Sequence, residues 1–116
     1  MYQNSPIKAD SLLVVVTTLP NMEVATALAK SLVEAHLAAC VQVTEGLYSV
    51  YLWEGKLCEE QEVLLSAKTV SHQWEEICRF VKEAHPYDLP EIFAYSPEQY
   101  DQQYGHWVST EVNSKI

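Results

Sequence analysis

Leu12 to Val16 is an unbroken apolar run, three of its five residues valine, closed by Thr17, Thr18 and Pro20. So short a run without alternation predicts a strand buried on both faces. Asn21 is placed to cap a following helix, with Glu23 near its positive end. Ala25, Leu28, Ala29, Leu32 and His36 then recur at helical spacing, widened by Val33, which predicts an amphipathic helix over 21–36. A second strand is predicted from Ala38 to Val43. Gly46 reads there as a bulge, because strand character resumes at once from Leu47 to Trp53. That stretch is apolar or aromatic on both faces, with Leu47, Ser49, Tyr51 and Trp53 on one and Tyr48, Val50 and Leu52 on the other. The turn Glu54-Gly55-Lys56 joins it to a third strand, Cys58 to Thr69, acidic at its start and apolar from Val63 to Ala67. Ser71 is a plausible cap for a second helix with the buried stripe Trp74, Ile77, Cys78, Val81 and Ala84, which Pro86 stops. Glu91 to Ser96 reads as a short fourth strand, and Tyr100, Tyr104, Trp107 and Val108 as a third helix.

The order β-α-β-β-α-β plus a helix is that of an α+β, ferredoxin-like split β-α-β sandwich, one antiparallel sheet with helices on one face. Residues 1–10 are expected to be a flexible tail and 11–116 a single domain. A chain this small cannot cover both faces of the aromatic strand with its own helices. The bare face therefore implies a homo-oligomer.

Composition narrows the partners. Seven basic against sixteen acidic residues leave −9 on a 116-residue chain, which repels a phosphate backbone, so nucleic acid is not expected as a ligand. The longest uncharged stretch, 11–22, falls short of the ~20 apolar residues of a spanning helix, and the N-terminus shows no export signal, so no membrane association is expected. Cys40, Cys58 and Cys78 are odd in number and widely spaced, which fits reduced thiols in a cytoplasmic protein.

Four spaced strings, AACV (38–41), YLWEGK (51–56), EVLLSAKT (62–69) and HPYDLPE (85–91), with a final Tyr104 and Trp107, make the chain similar to the CutA divalent-cation-tolerance family. The resemblance runs from about Leu12 to Trp107. It implies a ferredoxin-like subunit in a tight homotrimer, cytoplasmic in bacteria, linked to tolerance of divalent metals and binding copper. It brings no reaction mechanism.

His85 and Glu91 flank a loop stiffened by Pro86 and Pro90, which holds an imidazole and a carboxylate in a repeatable relation. Those donors suit a divalent metal such as Cu(II), with at least one further ligand required. Some family members carry a Cys near that position of the first strand, where this chain has Val16, so the soft ligand is missing. The alternative reading is structural, with His85 capping the second helix and Glu91 pairing with Lys68. Tyr51, Trp53, Lys68, Tyr87 and Trp107 are the residue types of a small-molecule cleft, and the resemblance gathers them between subunits. An effector cleft there would parallel PII signal-transduction trimers; the same aromatics also serve as interface cement, as in a purely structural trimer scaffold. Glu59, Glu60 and Glu62 read as a solvated strand end, and His36, His72 and His106 as surface or capping residues. With no nucleophile elbow, triad or Gly-rich phosphate loop, the chain does not read as an enzyme.

Overall fold

The computed structural model describes residues 8–113. Four strands, β1 (Leu12–Leu19), β2 (Cys40–Trp53), β3 (Lys56–Val70) and β4 (Ile92–Tyr95), form one antiparallel sheet in the order β2-β3-β1-β4. Helices α1 (Met22–Glu34) and α2 (Trp74–Ala84) cross one face, and α3 (Gln102–Asn113) follows β4. This is the α+β, split β-α-β arrangement expected from the element order.

β1 lies between β3 and β4, so both its faces and both its edges are covered, and all eight residues are buried. Its register with β3, Leu13↔Thr69 through Leu19↔Val63, puts Leu13, Val15 and Leu19 on the same face as Val63, Leu65 and Ala67. That face meets Ala25, Leu28 and Leu32 of α1 and Ile77 and Val81 of α2, the main core. Each fully buried Leu or Ile there contributes about 2–3 kcal/mol of transfer free energy. Thr17 and Thr69 share the face, and their buried hydroxyls have no hydrogen-bond partner.

Local chemistry sets most boundaries. Asn21 caps α1, its side-chain oxygen accepting from the Val24 N–H at 2.9 Å. His36 does not extend that helix as its spacing suggested. It sits at φ 60°, past the C-cap Ala35, and its Nδ1 lies 3.1 Å from the Glu111 carbonyl of α3. Val33 is exposed rather than part of the buried stripe. β2 runs unbroken from Cys40, with the expected bulge between Thr44 and Leu47, and Gly46 at φ +94° supplies the left-handed residue. Glu54 and Gly55 both have positive φ, the two-residue turn that matches strand twist in a tight hairpin.

Two boundaries differ from expectation. Ser71 does not cap α2: its hydroxyl donates to the Ser11 carbonyl, a 3-10 turn spans Ser71–Gln73, and Gln73 precedes the helix without a side-chain cap bond. The expected tail over 1–10 is also partly held, since the His72 N–H donates to the Ala9 carbonyl; residues 1–7 lie outside the described residues.

α3 buries Gly105, Val108 and Val112, not Tyr104 and Trp107, which are exposed and stack with ring centroids 5.8 Å apart. Val108 and Val112 pack on Leu12 and Val70, on the sheet face opposite α1 and α2. The second face is therefore covered at one end only. At the far end the β2–β3 hairpin is bare on both sides: Leu52 is 71% and Leu57 66% exposed on one, and Tyr51 and Trp53 are exposed on the other.

Candidate functional site

Pro86 excludes the helical conformation at the residue before it, so α2 ends at His85, which takes an extended ψ of 139°. That turn swings the imidazole toward the end of β1. Nε2 lies 2.7 Å from the Thr18 carbonyl, an acceptor only, so Nε2 carries the proton. Nδ1 is left with the lone pair and accepts from the Tyr87 N–H at 3.2 Å. The ring is 8% exposed and lies 4.8 Å from the Tyr87 ring, tilted at 51°. Burial pushes its pKa below the usual histidine value, against the opposing pull of the Thr18 carbonyl and the Glu62 charge. The imidazole is neutral at pH 7.

Tyr87 carries the cluster on to β3. Its hydroxyl donates to Glu62 Oε2 at 2.9 Å, and Glu62 is only 7% exposed. Burial first, and then Glu62, push the Tyr87 pKa up. Glu62 is thus not part of a solvated strand end, because the loop folds over it. Its neighbours differ in degree: Glu60 accepts from the Tyr51 hydroxyl and Glu59 from the Tyr48 hydroxyl, each at 2.6 Å, both pairs exposed. The bond to Glu60 pushes the Tyr51 pKa up to about 12.

The other half of the expected metal pair stands apart from these bonds. Glu91 is exposed at the loop's far end. It does not pair with Lys68, whose ammonium donates instead to Gln42 Oε1 on β2. Val16, buried in β1, offers no donor. Among the described residues no three His, Cys, Asp or Glu side chains converge as a metal cage. One chain therefore supplies two donors of suitable type, His85 Nδ1 and Glu91, and not a full coordination sphere.

The five cleft residues fall in four places. Tyr51 pairs across from Cys58, and Lys68 stands ten residues further along β3, roughly 33 Å away at the strand rise of about 3.3 Å per residue. Trp53 is at the hairpin tip with Tyr51, and Tyr87 sits over Glu62 between the two ends. Trp107 belongs to α3. A cleft containing all five does not exist within a single chain. Glu62 is the member that the sequence pattern hid, since its signal is not on β3 but in the loop that arrives from α2.

The family model for the CutA1 divalent ion tolerance protein matches residues 13–111. A divalent-cation tolerance protein CutA from Thermus thermophilus is 44% identical over 82% of this chain and 92% of its own length. A chloroplastic CutA of Arabidopsis thaliana is 40% identical over 83% of this chain, which spans about half of that longer protein (53%). The solved periplasmic divalent cation tolerance protein CutA of Archaeoglobus fulgidus superposes with TM-score 0.85 at 32% identity, over 88% of this chain and 99% of its own. A cytoplasmic location, expected from the sequence, does not stand: one of these relatives is described as periplasmic and another as chloroplastic. Among the described residues no helix is long and apolar enough to cross a membrane.

Proposed function

Because the chain belongs to the CutA1 divalent ion tolerance family, we propose that its part in metal tolerance is to bind Cu(II) or a similar divalent cation, as a homotrimer, without transforming a substrate. The family match over 13–111 supports the tolerance role. The observation that supports binding is the state of His85: burial keeps it neutral, so Nδ1 offers a lone pair at pH 7, and its present partner is one long bond to a backbone N–H. Releasing that 3.2 Å bond frees an imidazole nitrogen in a loop that ends at Glu91. Imidazole with carboxylate suits Cu(II) or Zn(II). A third donor must come from water or another copy.

Calorimetric titration of the purified chain with Cu(II) is expected to show saturable binding that weakens at least tenfold in both His85→Ala and Glu91→Ala. Unchanged binding in both variants sinks this site. A second reading, a PII-like effector cleft, rests on Lys68, which is half-buried and has an amide rather than a carboxylate for partner. A stabilising hit in a thermal-shift screen of anionic metabolites, lost in Lys68→Met, supports it; a blank removes it.

A further inference from the structure

Glu62 carries a charge that its surroundings do not compensate. It is 7% exposed, it stands across the ladder from Leu47, and its partner is the neutral Tyr87 hydroxyl. Among the described residues no cationic side chain is bonded to it. A carboxylate buried without a cation is costly to hold, so such a position favours a cation placed beside it. His85 lies near enough for the Glu62 charge to act on its imidazole. Tyr87 stands between the two and holds both. Its N–H occupies His85 Nδ1 at 3.2 Å, its ring lies 4.8 Å from the imidazole, and its hydroxyl occupies Glu62 Oε2 at 2.9 Å. Residues 86–90 have no regular structure, and among the described residues these two hydrogen bonds of Tyr87 are the ones that tie that stretch to its surroundings.

We propose that Glu62 is a further ligand of the divalent cation held by His85 and Glu91, and that Tyr87 masks both Glu62 and His85 Nδ1 in the metal-free chain. The inference rests on cation binding at His85 and adds a ligand to that site. With Tyr87 seated, no three His, Cys, Asp or Glu side chains converge among the described residues, and a third donor has to come from outside the chain. With Tyr87 turned out, Nδ1 and Oε2 are freed together, because one residue covers both. Nothing else has to leave. Nε2 keeps its 2.7 Å bond to the Thr18 carbonyl, which fixes the tautomer and leaves the Nδ1 lone pair aimed where the Tyr87 N–H was. Glu62 exchanges a neutral hydroxyl for a cation, and that compensation offsets the two bonds Tyr87 gives up. One imidazole with two carboxylates is a nitrogen and oxygen set that suits Cu(II) or Zn(II) and needs no soft donor at Val16.

Calorimetric titration of the whole chain with Cu(II) at fixed pH tests this, because the two ends of the Tyr87–Glu62 bond are expected to act in opposite directions. Glu62→Gln keeps the shape and still accepts from Tyr87, and it is expected to weaken binding at least tenfold through the lost ligand charge. Tyr87→Phe removes one of the two bonds that hold the mask, and it is expected to tighten binding about threefold or more. A pair that merely supports the loop would move both variants the same way. Thermal unfolding without metal checks that each variant folds. Should Glu62→Gln not fold, Glu62→Asp takes its place, with a smaller loss in the same direction. Binding that weakens in Tyr87→Phe, or that changes less than about threefold in Glu62→Gln, overturns Glu62 as a ligand; if His85→Ala and Glu91→Ala still weaken binding, the two-donor reading stands without it. Unchanged binding in both His85→Ala and Glu91→Ala overturns the two readings together.

Discussion

His85, Tyr87 and Glu62 bind one another through a single loop, so each substitution there has a readable consequence. Tyr87→Phe removes the hydroxyl donor from a carboxylate that is 7% exposed, and the expected loss is about 1–3 kcal/mol of stability at neutral pH. Urea unfolding measures it, and Glu62→Gln in the same background should restore part, because the stranded charge is gone. For His85 the sign follows from burial. Its folded pKa lies below the unfolded value of about 6.5, so below that pH the unfolded chain binds more protons. Stability of the metal-free protein is therefore fully present above about pH 6.5 and declines as pH falls toward the depressed folded pKa. Comparing urea midpoints at several pH values should show a shallower slope between about pH 5 and 6.5 in His85→Gln. At this scale the two prolines between His85 and Glu91 pointed to the loop that carries His85 and Tyr87. The sequence could not expose Glu62, since Glu59, Glu60 and Glu62 look alike along the strand and only the incoming loop separates the buried one from the others.

Elements were legible where their reasons were local. The uninterrupted Leu12–Val16 run signalled a strand covered on both sides, Asn21 announced its helix, and Gly46 marked the bulge, because each acts within a few residues. The start of α2 was misplaced because Ser71 bonds to Ser11, a partner sixty residues away. α3 forms where Tyr104, Trp107 and Val108 signalled it, but its buried face is another stripe. Tyr104, Trp107 and Val108 share helical spacing with a second stripe, Gly105, Val108 and Val112, and tertiary packing chose the smaller residues. Gly105 is the diagnostic position: a Cβ there would collide with the Tyr100 ring, whose hydroxyl accepts from the Leu12 N–H. Gly105→Ala is expected to lower stability by about 1–3 kcal/mol despite the better helix propensity of alanine, a difference that thermal unfolding resolves. Gly46→Ala should cost about 1–2 kcal/mol, because a Cβ meets no atom there and the penalty is that of a left-handed backbone.

For the whole molecule, stability should depend on concentration. A chain whose hairpin is bare on both faces gains protection only by association, so the unfolding midpoint is expected to rise with protein concentration and to stop doing so in Leu52→Glu/Leu57→Glu. The two-sided pattern of Leu47 to Trp53 made the bare hairpin readable from the sequence, because strand alternation alone puts apolar residues on both of its faces. The hairpin also has a kinetic meaning. Its strands are joined by two residues and pair over neighbouring positions, whereas β1 must find β3 and β4 across most of the chain. Local pairings close with little loop entropy and fold early. The surface most prone to stick is thus ready before the globule behind it, and until a mate arrives the acidic, tyrosine-capped strand is what keeps newly made chains from aggregating.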